Sequence, residues 1–244
     1  MKISVITISY NSAATIEATI KSVLLQEDID LEYIIIDGGS TDGTLDIIKK
    51  YEHKISQWVS EPDKGIYDAM NKGLARATGE VIGILNSDDT YAYTEVLSDI
   101  VRQIDNADAV YGDLEYVNGI TGKVIRTWQS GQYSKGDFLY GWMPPHPTFF
   151  VRKKVYDQYG NFLTNHGTAA DYEIMLRFIH KHEINIHYLP KIITRMKIGG
   201  VSNITWKQRW KANRADKKSW QINQIQPKWF TLILKPLRKV SQWF

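Results

Sequence analysis

The chain has 244 residues, enough for one sizeable core, and its 43% hydrophobic and 23% charged residues are typical of a globular protein. It contains no cysteine, which excludes disulfides, thiolate metal sites and a cysteine nucleophile. The sequence has no apolar run of eighteen residues, and its first segment, MKISVITISYNS, is too short and too polar at its end for a signal peptide. We therefore expect a cytoplasmic protein.

The formal net charge of +3 is distributed unevenly along the chain. Residues 204–244 hold ten Lys or Arg and one acidic residue, Asp216, and so carry +9, whereas the preceding 203 residues carry −6. The same tail holds five of the eight tryptophans. These differences predict a main domain over residues 1–203 and a basic, Trp-rich extension over residues 204–244.

Predicted strands and helices alternate over the first hundred residues. Runs rich in β-branched residues predict buried strands, and apolar residues at helical spacing predict amphipathic helices. Gly79 is expected as the C-cap of the third helix. The strands are Ile3–Ser9, Leu31–Ile36 and Val81–Leu85, and the helices are the segment containing Ile16, Ile20, Val23 and Leu24, then Thr44–Tyr51, Asp68–Ala77 and Glu95–Ile104. This alternation indicates an α/β domain with a mostly parallel sheet.

The second half of the chain is richer in strand patterns. Two strands are predicted at Ala109–Val117 and Lys123–Gln129, on either side of a turn at 118–122. One convincing helix is predicted at Asp171–His182, and an apolar stretch follows at Ile184–Ile193.

Polar side chains follow three of the predicted strands in the first half. They stand at Ser9–Asn11, at Asp37 and at Asn86–Asp89. Ligands of open parallel sheets bind at the carboxyl ends of the strands, so neighbouring strands would bring these groups into one crevice. The sequence favours a shared ligand site here over three solvated loops.

The adjacent carboxylates Asp88 and Asp89 raise a question of charge. They repel each other unless a positive group lies beside them, and Mg²⁺ or Mn²⁺ prefers such oxygen ligands. The alternative is that both carboxylates cap a helix or face water.

At this point the chain resembles a known family, the family 2 nucleotide-sugar glycosyltransferases. The segments ITISYNSAATI, IIIDGGSTDGT and EPDKGIYDAMNKGLARATGEVIGILNSDD carry the likeness, which is dense over residues 3 to about 90 and looser over 140 to about 203. The resemblance implies the GT-A fold, a Rossmann-like, mostly parallel α/β sheet flanked by helices. It also implies a nucleotide-binding half (residues 1–90) and an acceptor half (about 105–203).

The resemblance also implies roles for individual residues. Thr7, Ser9 and Asn11 would line the nucleotide pocket, and Asp37 would bind the base, typically the imide of uracil. Asp88 would lie near the ribose and the sugar, and Asp89 would be the metal ligand. The loop residues Asp63, Lys64 and Gly65 would close over the donor, with Lys64 offsetting phosphate charge or merely facing solvent.

Two positions depart from the family pattern. Asn86 stands where aspartate is common; its amide can still bind a ribose hydroxyl but adds no charge. Met70 stands where arginine is common, just before the matched Asn71. Both departures bear on the donor that the chain accepts.

An inverting transfer needs a base that takes the proton of the acceptor hydroxyl. The resemblance places this base at Asp171, which follows Ala170 where the family often has glutamate; without the family, a helix N-terminal charge is the simpler interpretation. His146 matches an acceptor-side segment, although a structural role is more common for such a histidine. The glycines of Gly199–Ser202 suit a loop that closes the site or a plain turn.

The sequence of the tail does not determine what the tail contacts. Trp229, Phe230, Ile233, Leu237, Val240 and Phe244 form an apolar stripe beside basic residues. Such a stripe suits the anionic inner face of the cell membrane, and equally suits packing on the core or on a second subunit. Binding to nucleic acid would account for the basic and aromatic residues but not for the apolar stripe, so no nucleic-acid partner is expected.

Together these features predict an inverting transferase that depends on Mn²⁺ or Mg²⁺. Its donor would be a nucleotide diphosphate sugar, UDP-linked, and its acceptor a glycan or lipid-linked sugar of cell-surface polysaccharide assembly. One alternative is a non-catalytic nucleotide-sugar-binding or assembly protein. Another is a nucleotidyltransferase, which the absence of glycine from YNSAAT argues against.

Overall fold

A single mixed sheet organises the protein in the computed structural model, which describes residues 1–198 and 206–238. Within these residues nine strands join in the order β3-β2-β1-β4-β8-β6-β9-β5, with β7 paired to β6. The expected loop at Gly199–Ser202 lies outside the described residues, as do Val240 and Phe244 of the tail stripe. The predicted α/β class is confirmed.

The first half forms the parallel part of the sheet. Its strands are β1 (Lys2–Ser9), β2 (Asp30–Asp37), β3 (Gln57–Ser60) and β4 (Val81–Asn86). The helices between them are α1 (Ile16–Leu24), α2 (Thr44–Lys50) and α3 (Ile66–Arg76). The chain proceeds from β1 through β2 to β3 and then returns to place β4 on the other side of β1. The strand order therefore reverses between β1 and β4, where α/β sheets bind their ligands.

The second half extends the sheet beyond β4 with mixed pairing. It contains β5 (Asp89–Tyr91), β6 (Ala109–Asn118), β7 (Val124–Trp128), β8 (Phe150–Arg152) and β9 (Ile186–Ile198). Its helices are α4 (Val96–Gln103), α5 (Lys153–Tyr159) and α6 (Ala170–Met175), which continues as a π-helix over Leu176–Lys181. Strand β8 runs antiparallel to β4 and β6, and so joins the two halves into one sheet.

Both faces of the sheet are buried, which explains the near-continuous apolar runs of β1, β2 and β4. Ile6, Ile34 and Ile82 belong to the core on one face, whereas Val5 and Ile35 belong to the core on the other. Where the two halves meet, the Phe150 ring fills the space that a side chain at position 83 would need. Only glycine fits at Gly83, so the packing of β8 against β4 depends on it.

One expectation needs correction. Gly79 is not a left-handed C-cap: α3 ends at Arg76, and the backbone at Gly79 passes so close to Ser4 that a Cβ would lie 2.6 Å from its Oγ. Asp89, which follows the predicted strand, begins the short strand β5 and pairs with Met196 of β9. The short strands β3, β5 and β8 were not predicted.

The C-terminal extension is helical, as expected, over α7 (Trp206–Ile222) and α8 (Thr231–Leu237). Trp220 is completely buried, and the Thr231 hydroxyl donates to the carbonyl of Leu139 (2.7 Å). The described part of the extension therefore packs on the main domain, while the predicted boundary at residue 204 stays a prediction. No helix in the described parts of the chain is both long and apolar enough to cross a membrane.

Candidate active site

The three polar strand ends lie side by side, as the sequence predicted. Ser9 pairs in register with Asp37, and Asp37 with Ser60. On the other side, the end of β1 pairs with Asn86 of β4. The carboxyl ends of β1, β2, β3 and β4 thus form one polar edge at the point where the strand order reverses.

Much of the polar surface of β1 and β2 is engaged in holding this edge together. The buried Asp37 carboxylate accepts hydrogen bonds from the Ser9, Ser40 and Ser60 hydroxyls and from the amides of Gly39 and Ser40. Burial alone would raise the pKa of Asp37, but these hydrogen bonds, that from the Ser40 hydroxyl first, keep it below its ordinary value. Asp37 therefore remains charged and fixes the turn that follows β2.

Thr7 and Asn11 also make internal contacts. Thr7 is completely buried, and its hydroxyl accepts a hydrogen bond from Tyr33 (3.1 Å). Asn11 adopts a left-handed backbone conformation (φ 47°), and its side-chain oxygen accepts from the Thr41 amide (2.9 Å). Thr7 thus contacts the core, whereas Asn11 joins the loop after β1 to the loop after β2.

One aromatic residue of this edge was not predicted. Tyr10, the first residue after β1, exposes 65% of its surface, whereas Tyr33, Tyr111 and Phe150 of the sheet are buried. Its position directly after a predicted strand was visible in the sequence, but its exposure was not. A free aromatic face beside hydrogen-bonding groups suits the stacking of a flat ring.

The end of β4 presents the two carboxylates in different environments. Asp89 is completely buried, and Asp88 is partly exposed. The amide of Asn86 donates to Asp89 Oδ2 (3.1 Å), which places Asn86 in the same cluster. Burial, and then the charge of Asp88, raise the pKa of Asp89 well above its ordinary value; burial also raises the pKa of Asp88.

This cluster contains oxygen atoms without a hydrogen-bond partner. Asn86 Oδ1 and Asp89 Oδ1 are both buried, and no donor in the described residues reaches either. Buried polar atoms are nearly always paired, so two orphaned oxygens beside a second carboxylate fit a hard divalent cation. No group of three or more His, Asp or Glu in the described chain forms a complete metal cage. A cation held here would need further oxygen ligands from a bound molecule.

Asp171 lies at the same edge of the sheet, approached from the second half. It occupies the first turn of α6, and the Tyr67 hydroxyl of α3 lies 3.5 Å from its Oδ1. Because α3 begins at the loop after β3, Tyr67 is near the carboxyl ends of the strands. His146 lies close enough for the charge of Asp171 to act on it: burial lowers the pKa of His146, and Asp171 opposes this. Tyr67 was a second residue that the sequence did not single out.

Neighbouring contacts fix this region. The Asn71 side chain makes two hydrogen bonds to the backbone of Phe162, at 2.9 and 3.0 Å. The Phe162 ring stacks on Tyr67 (5.7 Å) and meets His146 edge-on (5.7 Å). Met70, where the family often has arginine, is buried in the core.

The C-terminal extension holds the helix that carries Asp171. Trp220 Nε1 donates to the Tyr172 hydroxyl (2.9 Å), and Asn223 donates to Glu173 (2.9 Å). The ammonium of Lys235 lies 3.4 Å from the centre of the Tyr172 ring and pairs with Asp216 at 2.8 Å. The extension therefore contacts the two residues that follow Asp171.

The loop after β3 carries the remaining predicted residues. The Gly65 amide donates to Asp63 Oδ1 (2.8 Å), the Lys64 amide donates to Asp68 (2.9 Å), and the Lys64 side chain is exposed. Gly65 has φ 109°, which a residue with a side chain adopts only under strain. The loop lies beside the turn after β2, since the Glu61 amide donates to the carbonyl of Asp37 (3.0 Å).

Taken together, the edge combines an exposed aromatic ring, a carboxylate cluster with unpartnered oxygens, and a separate aspartate on a helix. Such a set, at the point where the strand order of an α/β sheet reverses, marks a ligand-binding site. The family described as Glycosyl transferase family 2 matches residues 4–162, and the chain belongs to this family.

Several known proteins are similar to the chain. An uncharacterised glycosyltransferase of Mycobacterium tuberculosis (strain H37Rv) is 32% identical over 186 residues, covering 72% of this chain and 68% of its own. A PGL/p-HBAD biosynthesis glycosyltransferase of Mycobacterium bovis (strain BCG Pasteur) is 28% identical over 207 residues, covering 82% and 78%. The protein is thus a glycosyltransferase.

Solved structures show the same fold. The structure of S. aureus TarS 1–349 in complex with UDP covers 99% of this chain and 72% of its own, with a TM-score of 0.71 at 22% identity. The mannosyltransferase of Pyrobaculum calidifontis in complex with GDP-Man and Mn²⁺ covers 98% and 74%, with a TM-score of 0.64 at 17% identity. The predicted GT-A fold is confirmed.

Proposed function

We propose that the protein transfers a sugar, with inversion, from a UDP-sugar to a hydroxyl of a glycan or lipid-linked acceptor, assisted by Mn²⁺ or Mg²⁺. The observation that carries this proposal is the cluster at the end of β4, where two buried oxygens lack partners beside the partly exposed Asp88. Proteins of the same fold have been solved with UDP, with UDP-GlcNAc, and with GDP-Man and Mn²⁺, which supports a nucleotide-sugar donor.

Asp88, Asp89 and Asn86 would hold the cation. The resemblance gave the metal to Asp89 and the sugar nucleotide to Asp88, but the complete burial of Asp89 favours Asp88 as the carboxylate that reaches a diphosphate-bound cation. Asp89 Oδ1 and Asn86 Oδ1 would then be the other protein ligands of the cation, or would lie next to Asp88 and help to hold it in place. When bound, the cation neutralises the charge that develops on the leaving diphosphate.

Asp171 would take the proton of the acceptor hydroxyl. Its Oδ1 accepts a hydrogen bond from the Tyr172 amide (2.7 Å), and the Tyr67 hydroxyl lies 3.5 Å from the same oxygen. Its Oδ2 would be the oxygen that accepts the proton. A neutral His146 beside Asp171 adds no charge that would compete with the incoming hydroxyl.

Tyr10 would stack on the base of the donor. Its ring is exposed at the end of β1, beside the point where the strand order reverses. Stacking on an aromatic side chain typically stabilises a bound base by about 1–3 kcal/mol.

The extension would also contact an anionic membrane. Trp229 is 86% exposed and Ile233 is 55% exposed, while Lys228 beside them carries positive charge. Exposed aromatic and basic residues just before a short helix suit the surface of such a membrane. Binding to vesicles with and without phosphatidylserine tests this: we expect co-sedimentation only with the anionic vesicles, weakened in Trp229→Ala.

The release of UDP from a panel of UDP-sugars in the presence of Mn²⁺ tests the function. The wild type should release UDP, and Asp171→Asn should bind UDP equally well yet turn over at least about 100-fold more slowly. Asp88→Asn should lose the response to Mn²⁺ more completely than Asp89→Asn. Binding of UDP by the wild type without turnover, even with plausible acceptors, would favour the non-catalytic alternative.

A further inference from the structure

The carboxylate predicted to bind the base, Asp37, has no capacity left for a ligand. It is completely buried and accepts five hydrogen bonds from within the protein. A carboxylate offers about four lone-pair sites, so five donors saturate it. A bound base would have to displace one of the serines or amides that fix the turn after β2. Another group must therefore recognise the base.

A second carboxylate lies immediately next to this turn. Asp63, on the loop after β3, places its Oδ2 against Gly38, the first residue after β2. A Cβ on Gly38 would collide with this oxygen, and the same Cβ would lie 3.3 Å from Cδ2 of the Tyr10 ring. Asp63 thus brings its carboxylate to the end of β2, beside the exposed aromatic ring, at a position that Gly38 leaves vacant.

The residues directly before Asp63 are held in place by three hydrogen bonds. The Ser60 hydroxyl donates to Asp37 (2.7 Å), and the Glu61 amide donates to the Asp37 carbonyl (3.0 Å). Farther along, Lys72 donates to the carbonyl of Pro62 (2.9 Å). Asp63 is therefore presented by an anchored segment, as a binding residue requires.

The two oxygens of Asp63 differ in their availability. Oδ1 accepts a hydrogen bond from the Gly65 amide (2.8 Å), whereas Oδ2 accepts none from any donor in the described chain. One free carboxylate oxygen matches a single N–H donor. Uracil presents such a donor at its imide N3–H. Guanine presents two donors, N1–H and its 2-amino group, of which one would lack a partner, and cytosine has an acceptor at N3 and a donor only on its exocyclic 4-amino group.

We infer that Asp63, rather than Asp37, is the residue that recognises the base of the donor, and that the base is uracil. The N3–H of uracil donates to Asp63 Oδ2 while the ring stacks on Tyr10. This inference rests on the proposed function. The aspartate that determines specificity is thus supplied by the loop after β3, in the space that Gly38 leaves open.

Titration calorimetry with UDP, CDP and GDP in the presence of Mn²⁺ tests the inference. The wild type should prefer UDP. Asp63→Asn should bind UDP about 10- to 100-fold more weakly, the usual effect of losing a hydrogen bond to a charged group. It should also lose its preference over CDP, because an amide N–H can donate to N3 of cytosine. Glu61→Gln, a change to the exposed neighbour that pairs with Lys72, is the matched control and should bind UDP as the wild type does.

Moving the carboxylate from position 63 to position 38 distinguishes a direct contact with the base from an effect of Asp63 on the structure of its loop. Gly38 has no left-handed backbone conformation, so it can accept a side chain once Asp63 is removed. Gly38→Ala alone should displace Asp63 and weaken UDP binding. The double variant Gly38→Asp/Asp63→Gly should restore both affinity and base preference, since the carboxylate returns from the other loop.

The outcomes are distinct. Failure of the wild type to bind any nucleoside diphosphate would contradict the proposed function and this inference together. If Asp63→Asn binds UDP with the affinity and base preference of the wild type, this inference is wrong, whereas the proposed function is unaffected. A wild type that prefers GDP would overturn the assignment to uracil.

Discussion

Replacing Trp220 by alanine should destabilise the whole protein, because the extension is packed into the domain. Trp220 is completely buried, donates to the Tyr172 hydroxyl (2.9 Å) and meets His180 edge-on (5.4 Å). Truncating such a residue typically costs about 3–5 kcal/mol of unfolding free energy. For a chain of this size, each kcal/mol lowers the melting temperature by about 2–4 °C. We therefore expect a decrease of about 6–20 °C.

Trp229 provides the matched control within the same extension. It is 86% exposed, and exposed substitutions usually change stability by less than about 0.5 kcal/mol. Urea unfolding followed by circular dichroism should give one transition in the wild type, a much lower midpoint in Trp220→Ala, and an unchanged midpoint in Trp229→Ala. Equal midpoints for the two variants, or a separate early transition for the extension in the wild type, would refute the packing argument.

Three further predictions concern the site and the sheet. Tyr10→Ala should weaken UDP binding about 5- to 100-fold, whereas Tyr10→Phe should retain it, as measured by calorimetry; equal losses would contradict the stacking role. Asp171→Asn should abolish transfer without changing UDP affinity, and a wild-type rate of UDP release would contradict its role as the base. Glu32 is buried, yet hydrogen bonds, that from Ser4 first, outweigh burial and lower its pKa to about 2. Its ionised form therefore stabilises the fold above pH 4.5, and this contribution is lost as the pH falls toward 2. Glu32→Gln should cost roughly 2–3 kcal/mol at pH 7 and much less near pH 2, measured as urea midpoints across pH; a constant difference would refute the linkage.

The long elements of the first half could be predicted because their local patterns are strong. The strands β1, β2 and β4 are continuous apolar runs, because both faces of the sheet are buried. The short strands β3, β5 and β8 were missed because three or four residues carry little pattern and their pairing partners are distant in sequence. Gly79 was misassigned for a related reason: a close approach to Ser4 leaves no local sign that distinguishes it from a helix cap.

The location of the site in the fold could be predicted from the sequence, but the contacts of its side chains could not. The polar strand ends meet, as parallel topology requires, and this followed from the sequence. Which carboxylate faces the crevice did not follow, because Asp37 accepts five donors from three different segments and Asp89 is buried by pairing with β9. The packing of the extension on Tyr172 could not be predicted for the same reason, because Trp220 is buried against a residue 48 positions earlier in the chain.

Calorimetric titration of the full chain with UDP, with and without Mn²⁺, tests most directly whether the cluster at the end of β4 binds the donor together with a cation. We predict binding that weakens at least about tenfold when Mn²⁺ is chelated, and that no longer responds to Mn²⁺ in Asp88→Asn. Absence of binding to any nucleoside diphosphate, or a UDP affinity that neither chelation nor Asp88→Asn changes, would contradict the assignment of the β4 cluster as the donor and cation site.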